Sequence, residues 1–276
     1  MQFGFSTNAF REYQLEDAIE AIADAGYDGV ELLLDEPHLY PPDCTDGERE
    51  RVEEVLDRHD IAVSNGNAFM LTAIEGFHHP SYIEPDEEYR QQRIDYTLAA
   101  LETAADLDLP YISIEPGGPI PDSKSREWAM DTFVDSLEDI IPKAEDLGVD
   151  LLVEPEPDLL IETADEFLAL LDRVGSERVR CNFDAGHFYC VGEDPAELVE
   201  TLWDHTSHYH LEDIPADRTH EHTQLGDGEM DIDAFLGELE NRGYDGFVTV
   251  ELYPYEETPI ETAREAMAYL EERGWA

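Results

Sequence analysis

Short apolar runs alternate with longer amphipathic segments eight times along this 276-residue chain, and that alternation limits the fold more than any other feature. The runs predict strands at 3–6, 29–34, 61–65, 111–115, 151–154, 180–184, 208–211 and 247–252. Several are continuously apolar, such as Leu151-Leu152-Val153, as parallel strands buried on both faces should be. Segments with helical spacing lie between them, at 15–25, 48–59, 87–107, 125–147, 163–174, 195–203, 232–242 and 259–273. In the first, Leu15, Ala18, Ile19 and Ile22 share one face. Gly26, Gly148 and Gly243 sit just past three of these segments, where a left-handed C-cap is wanted. Eight βα units predict an α/β protein of the (β/α)8, or TIM-barrel, class. Such a barrel needs about 250 residues, so one domain spanning 1–276 is expected. A doubly wound sheet would carry a glycine-rich phosphate loop after its first strand, and here that loop reads Ser6-Thr7-Asn8-Ala9-Phe10.

The composition narrows the setting. Sixty-eight acidic residues against sixteen basic ones give a formal net charge of -52. A surface so charged repels itself in dilute buffer. Molar salt shortens the screening length to about 3 Å and removes most of that cost. A salt-adapted, halophilic setting is therefore expected. Nucleic acid is not expected as a partner, because phosphate contacts need clustered Lys and Arg and weaken as salt rises. No run approaches the roughly 18 apolar residues of a membrane span, so no membrane association is expected. The first residues lack the basic-then-apolar pattern of a secretory signal, and three cysteines (Cys44, Cys181, Cys190) make a sparse, unpaired set. Both point to a cytoplasmic protein, with room for a homo-oligomer.

The chemistry lies at the strand tips. The C-terminal ends of barrel strands face the active site. Strand five ends at Glu154, six at Asp184, seven at His210 and eight at Glu251. The gaps between them are 30, 26 and 41 residues, against about 31 for one βα unit. Each step thus advances one strand around the ring. A single Glu at a strand end is more often a helix cap or a surface group than a metal ligand; four residues sharing one phase of the repeat are a different matter. Three clustered carboxylates would raise one another's pKa values unless a cation compensates. One divalent ion, Mn²⁺, Mg²⁺, Co²⁺ or Zn²⁺, suits three oxygen donors and an imidazole. Glu115, at the tip of strand four, has the same position but no ligand role assigned; it is expected to line the pocket or face solvent.

The chain resembles the xylose isomerase-like TIM-barrel superfamily, the sugar phosphate isomerase/epimerase group. The resemblance is carried by Val153-Glu154-Pro155, Asp184-Ala185-Gly186-His187, His208-Tyr209-His210-Leu211-Glu212-Asp213, Leu225-Gly226-Asp227-Gly228-Glu229-Met230-Asp231, and Gly243-Tyr244-Asp245-Gly246 leading into Val250-Glu251-Leu252. It implies that Glu154, Asp184, His210 and Glu251 bind the metal and that His187 contacts a substrate oxygen. Arg218 matches, at a longer offset, an arginine that holds substrate in the ketose epimerases. His220 and His222 share its loop, as a substrate contact or a second ligand, or as exposed loop residues. The implied activity is isomerisation or epimerisation of a small sugar or related polyol ketone, with Glu154 and Glu251 moving the proton through an enediolate.

Three other readings compete. A dehydratase of inosose or 3-dehydroshikimate type would use His187 or His222 as acid. An apurinic endonuclease would need more histidines, yet strand two ends Leu34-Asp35-Glu36 and strand three Ser64-Asn65-Gly66-Asn67, with His38 alone nearby. A non-catalytic barrel would not need an intact ligand set. Specificity is expected from Asn8, Phe10, residues 65–69, the lid-like stretch 76–82 and Trp203. The turn at 226–228 could cradle a phosphate, but Asp227 and Glu229 would repel it.

Overall fold

The computed structural model describes residues 1–69, 76 and 78–276. Of the predicted lid stretch, Phe77 lies outside the described residues, as do residues 70–75. Eight parallel strands form a closed ring: β1 (Gln2–Ser6), β2 (Gly29–Leu33), β3 (Ala62–Asn67), β4 (Tyr111–Ile114), β5 (Asp150–Val153), β6 (Val179–Asp184), β7 (Thr206–Leu211) and β8 (Phe247–Val250). Pairing of Phe5 with Val250 closes β1 onto β8. This is the (β/α)8 barrel that the alternation predicts.

The helices pack around the ring as α1 (Leu15–Asp24), α2 (Asp46–His59), α3 (Glu87–Asp106), α4 (Arg126–Leu147), α5 (Ala164–Val174), α6 (Ala185–Cys190), α7 (Pro195–Leu202), α8 (Ile232–Asn241) and α9 (Pro259–Arg273). Their starts are chemically marked. Thr45 with Glu48 and Thr163 with Glu166 form reciprocal capping boxes. Ser125, Asp86, Asp194 and Asp231 accept from first-turn N–H groups. Gly148 ends α4 at φ 76°, a left-handed conformation that costs a glycine nothing. The apolar faces of these helices meet the outward faces of the strands, and residues such as Ile19, Phe133, Phe167 and Leu236 are fully buried there. Among the described residues no helix is long and apolar enough to cross a membrane.

The interior of the ring is unusually polar. Barrel interiors are mostly filled by branched aliphatic side chains. Here Glu31, Asn65, Ser113, Asn182, His208 and Thr249 are all buried. Buried polar groups must be hydrogen-bonded to avoid a desolvation cost. Asn65 accordingly donates to Glu31 (2.7 Å) and to Ser113 (2.9 Å), and Ser64 bonds Thr249 across the barrel (2.8 Å). One element departs from the sequence reading. The short α6 starts immediately at the tip of β6, because Asp184 accepts from the His187 N–H at 2.7 Å and caps it. This turns the His187 side chain into the mouth of the barrel.

Candidate metal centre and pocket

The strand register brings the predicted tips level. Asp184 pairs with His210, and Leu211 with Val250, which sets Glu251 one residue beyond β8. The Glu154 N–H extends the β4–β5 ladder to the Ile114 carbonyl, so its side chain also emerges at the rim. Nδ1 of His210 lies 2.9 Å from Glu154 Oε1, 3.7 Å from Asp184 Oδ2 and 3.8 Å from Glu251 Oε2. One ligand atom from each of the four residues falls within 4.8 Å of all the others. All four residues are buried.

Their electrostatics is that of a site short of positive charge. Burial raises the Glu154 carboxyl, and raises Glu251 well above the usual carboxylate range. Burial would raise Asp184 too, but His187, His210 and His222 outweigh it and hold that carboxyl well below its usual value. Burial would lower His210, yet the facing Glu31, Glu154 and Glu251 hold it well above its usual value. The imidazole is left to carry the positive charge that three acids require. Asp184 Oδ2 is buried without any hydrogen-bond partner, a costly arrangement for a protein atom. A divalent cation drawn to three oxygens and a nitrogen relieves each of these strains, so the residues fit such an ion.

One supporting group escaped the sequence reading. Glu31, buried on β2, accepts from Nε2 of His210 at 2.6 Å. Burial opposes its ionisation, but His210, His208 and Asn65 bring its carboxyl down to about 2. A carboxylate behind a histidine fixes the ring so that its other nitrogen faces the metal position. Asn8 and Asn67 both donate to Glu251 Oε1, at 2.8 and 3.3 Å. The signal available in the sequence was an acid within a strand otherwise apolar, Val30-Glu31-Leu32, since an ionisable group there must have a buried partner.

A cavity of about 120 Å³ opens onto this cluster, lined by Asn8, Arg11, Asn67, Phe69, Glu156 and Tyr253 together with Glu154, His187, His220, His222 and Glu251. Its lining of aromatic rings with a few convergent polar groups suits a small molecule. After β7 the chain folds back through an antiparallel bridge between Asp213 and Thr223, which returns His220 and His222 to the mouth. His222 is 1% exposed, so the exposed-loop alternative does not hold for it. Burial lowers His187 to about 4 and His222 to about 3, leaving both rings neutral near pH 7.

Other candidates fall elsewhere. Arg218 is exposed, lies over the Tyr189 ring at 4.3 Å and donates to the Tyr189 carbonyl at 2.8 Å. The longer loop offset thus puts it beside α6, outside the pocket. Phe10 is core, stacked edge-on with Phe5. Trp203 packs on Tyr244 and Arg242. The turn at 226–228 is not free for a phosphate, because Gly226 and Met230 donate their N–H groups to the Asp213 carboxylate. Glu115 does not face solvent. It is fully buried and bonded to Arg93 and His78, both at 2.7 Å.

An eight-stranded parallel barrel with ionisable groups converging at its C-terminal mouth has the architecture of a TIM-barrel enzyme. The particular family follows from its sequence profile. The profile of the xylose isomerase-like TIM barrel family matches residues 19–273, and the chain belongs to that family. It is similar to fructoselysine 3-epimerase of Escherichia coli O157:H7, at 24% identity over 97% of this chain and 96% of that protein. It is also similar to inosose dehydratase of Clostridium perfringens (strain 13 / Type A), at 24% identity over 95% and 91%. In fold it is similar to an IOLI protein solved with a binding zinc atom, with a TM-score of 0.77 at 22% identity over 99% and 96% of the two chains.

Proposed function

We propose that this protein is a divalent-metal-dependent isomerase or epimerase of a small sugar or related polyol ketone. The observation that carries the reading is the convergence of Glu154, Asp184, His210 and Glu251 within 4.8 Å at the floor of a small-molecule pocket. These four residues would hold the ion, which when bound would polarise a substrate carbonyl and acidify the adjacent C–H. Glu154 and Glu251 enter from strands separated by β6 and β7, so they reach a substrate from different sides. One carboxylate removes the proton; the other returns it to the opposite face or the neighbouring carbon. Asn8 and Asn67 restrict the Glu251 carboxylate to one orientation. His187 and His222 present neutral rings to substrate oxygens. The similarity to fructoselysine 3-epimerase supports a carbohydrate as the substrate, and the -52 charge argues against nucleic acid.

Glu154→Gln and Glu251→Gln should each abolish exchange of substrate protons with solvent deuterium, read by NMR on a panel of ketoses and inososes. Exchange persisting in both variants, with the fold intact by circular dichroism, would refute the proton-shuttle reading. The dehydratase alternative is favoured by the inosose dehydratase likeness. It needs a histidine acid, and neutral His187 and His222 are poorly suited to that near pH 7. Product mass separates the two, because an isomer keeps the substrate mass and dehydration removes one water.

A further inference from the structure

Outside the four-residue cluster, the described pocket lining holds one more acid. The segment after β5 reads Glu154-Pro155-Glu156-Pro157, so each glutamate precedes a proline. A residue before proline is held extended, and along extended chain alternate side chains share a side. Glu156 therefore follows Glu154 onto the pocket wall. Two residues of extended chain set it about 6–7 Å farther along, toward the mouth. Its backbone is fixed there: the Glu156 N–H donates to the Ile161 carbonyl at 2.9 Å, and its carbonyl accepts from the Leu159 N–H at 3.3 Å. Glu156 is only 7% exposed, yet its Oε2 is buried with no hydrogen-bond partner among the described residues. The charges that act on it most strongly come from Glu115, Glu154, Glu251 and Asp184, all of them acids. Arg11 is the one Lys or Arg in the described lining, and it is already paired with Glu256. Glu115 is matched by Arg93, and the cluster acids by the proposed ion. No described residue answers Glu156, and a buried acceptor without a donor is costly.

We propose that Glu156 is a substrate-recognition site that takes the ammonium group of an amine-bearing sugar or polyol, carried on the carbon chain beyond the atoms held by the ion. This deepens the isomerase reading and rests on it for the ion that holds the other end of the substrate. An ammonium supplies the donor that Glu156 Oε2 lacks and a positive charge where the neighbouring charges are all negative. A hydroxyl supplies the donor alone, and hydrogen bonds between charged partners are roughly twice as strong as neutral ones. Desolvating the two charges offsets part of the gain, so the pairing acts more on selectivity than on raw affinity. The same carboxylate discriminates in the other direction. A phosphate or carboxylate on that part of the substrate would meet an unpaired acid, a repulsion that Arg11, tied to Glu256, does not relieve. The site thus selects cationic over neutral substrates and neutral over anionic ones.

Two open-chain polyols of one carbon skeleton separate charge from shape: sorbitol, and glucamine, in which an ammonium replaces one terminal hydroxyl. The test is isothermal titration of each into the Mn²⁺-loaded protein in molar KCl. Such salt suppresses the general attraction of a surface of net charge -52 for any cation, whereas a buried pair is screened much less. The wild type should bind glucamine about tenfold tighter than sorbitol. Glu156→Gln keeps the shape and removes the charge, and with its fold checked by circular dichroism it should bring the two affinities within about twofold. Glucamine held no tighter than sorbitol by the wild type overturns the proposal. So does a glucamine preference that persists in Glu156→Gln, since the amine would then be meeting the ion or another acid. The titration needs no turnover, which keeps the two readings apart. A Glu156-dependent preference with no proton exchange on any ketose leaves this site standing and refutes the isomerase reading; exchange on ketoses without the preference refutes this site alone.

Discussion

Glu31→Gln probes the support behind the proposed metal centre without touching a proposed ligand. Glu31 Oε2 accepts from His210 Nε2 at 2.6 Å and from Asn65 at 2.7 Å, while Oε1 accepts from Asn67 at 3.3 Å. A glutamine amide can serve only one of its two sides as an acceptor. The better arrangement keeps its oxygen toward His210 and Asn65 and turns the NH₂ toward the Asn67 donor. One weak hydrogen bond and the full negative charge behind the imidazole are lost. Loss of such a supporting group typically weakens metal binding about 10–100-fold, which corresponds to about 1.4–2.8 kcal/mol. Isothermal titration of stripped protein with Mn²⁺ in molar salt reads the change directly. Stoichiometry should be unchanged, because all four ligands remain. A dissociation constant within about twofold of wild type would show that Glu31 does not orient His210 for a metal.

Three further predictions follow from buried groups. Arg93→Met strands the Glu115 charge, since both residues are fully buried and paired at 2.7 Å; unfolding should become easier by about 3–5 kcal/mol. Denaturant melts check this, and Arg93→Met/Glu115→Leu should recover much of the loss. Gly186→Ala would place a Cβ 1.7 Å from Glu212 Oε1, an overpacking worth about 1–3 kcal/mol, visible as a lower melting temperature. Divalent-ion binding should release protons near pH 7. His210 and Glu251 hold pKa values well above their ordinary ones, so the ion-free fold keeps protons that the unfolded chain would give up. By linkage, these groups make the ion-free fold less stable as pH rises from their ordinary values toward the raised ones, and the ion's stabilisation grows over the same range. Calorimetry in buffers of different ionisation enthalpy measures the release, and zero protons exchanged would refute it.

The barrel and its four strand tips were legible because both are periodic. A buried parallel strand is a short apolar run, its helix repeats every 3.6 residues, and about 31 residues separate equivalent positions. The phase of Glu154, Asp184, His210 and Glu251 in that repeat therefore announced their convergence before any coordinates. The C-cap at Gly148 was legible for a similar reason, since the glycine sits just past the last periodic turn of its helix.

What lies beyond one βα unit was not. Glu31 stands 179 residues from His210, and Arg93 reaches Glu115 from the inner face of α3. No spacing rule links such pairs; only closing the ring makes them neighbours. Arg218 left the pocket, and His222 entered it, because the antiparallel bridge from Asp213 to Thr223 decides how the loop folds back. Sequence alone determined which residues crown the barrel, because local periodicity sets the phase of each strand. Tertiary structure alone decided which groups stand behind them and which loop side chains turn inward, because those contacts depend on ring closure and on where each buried polar atom finds its partner.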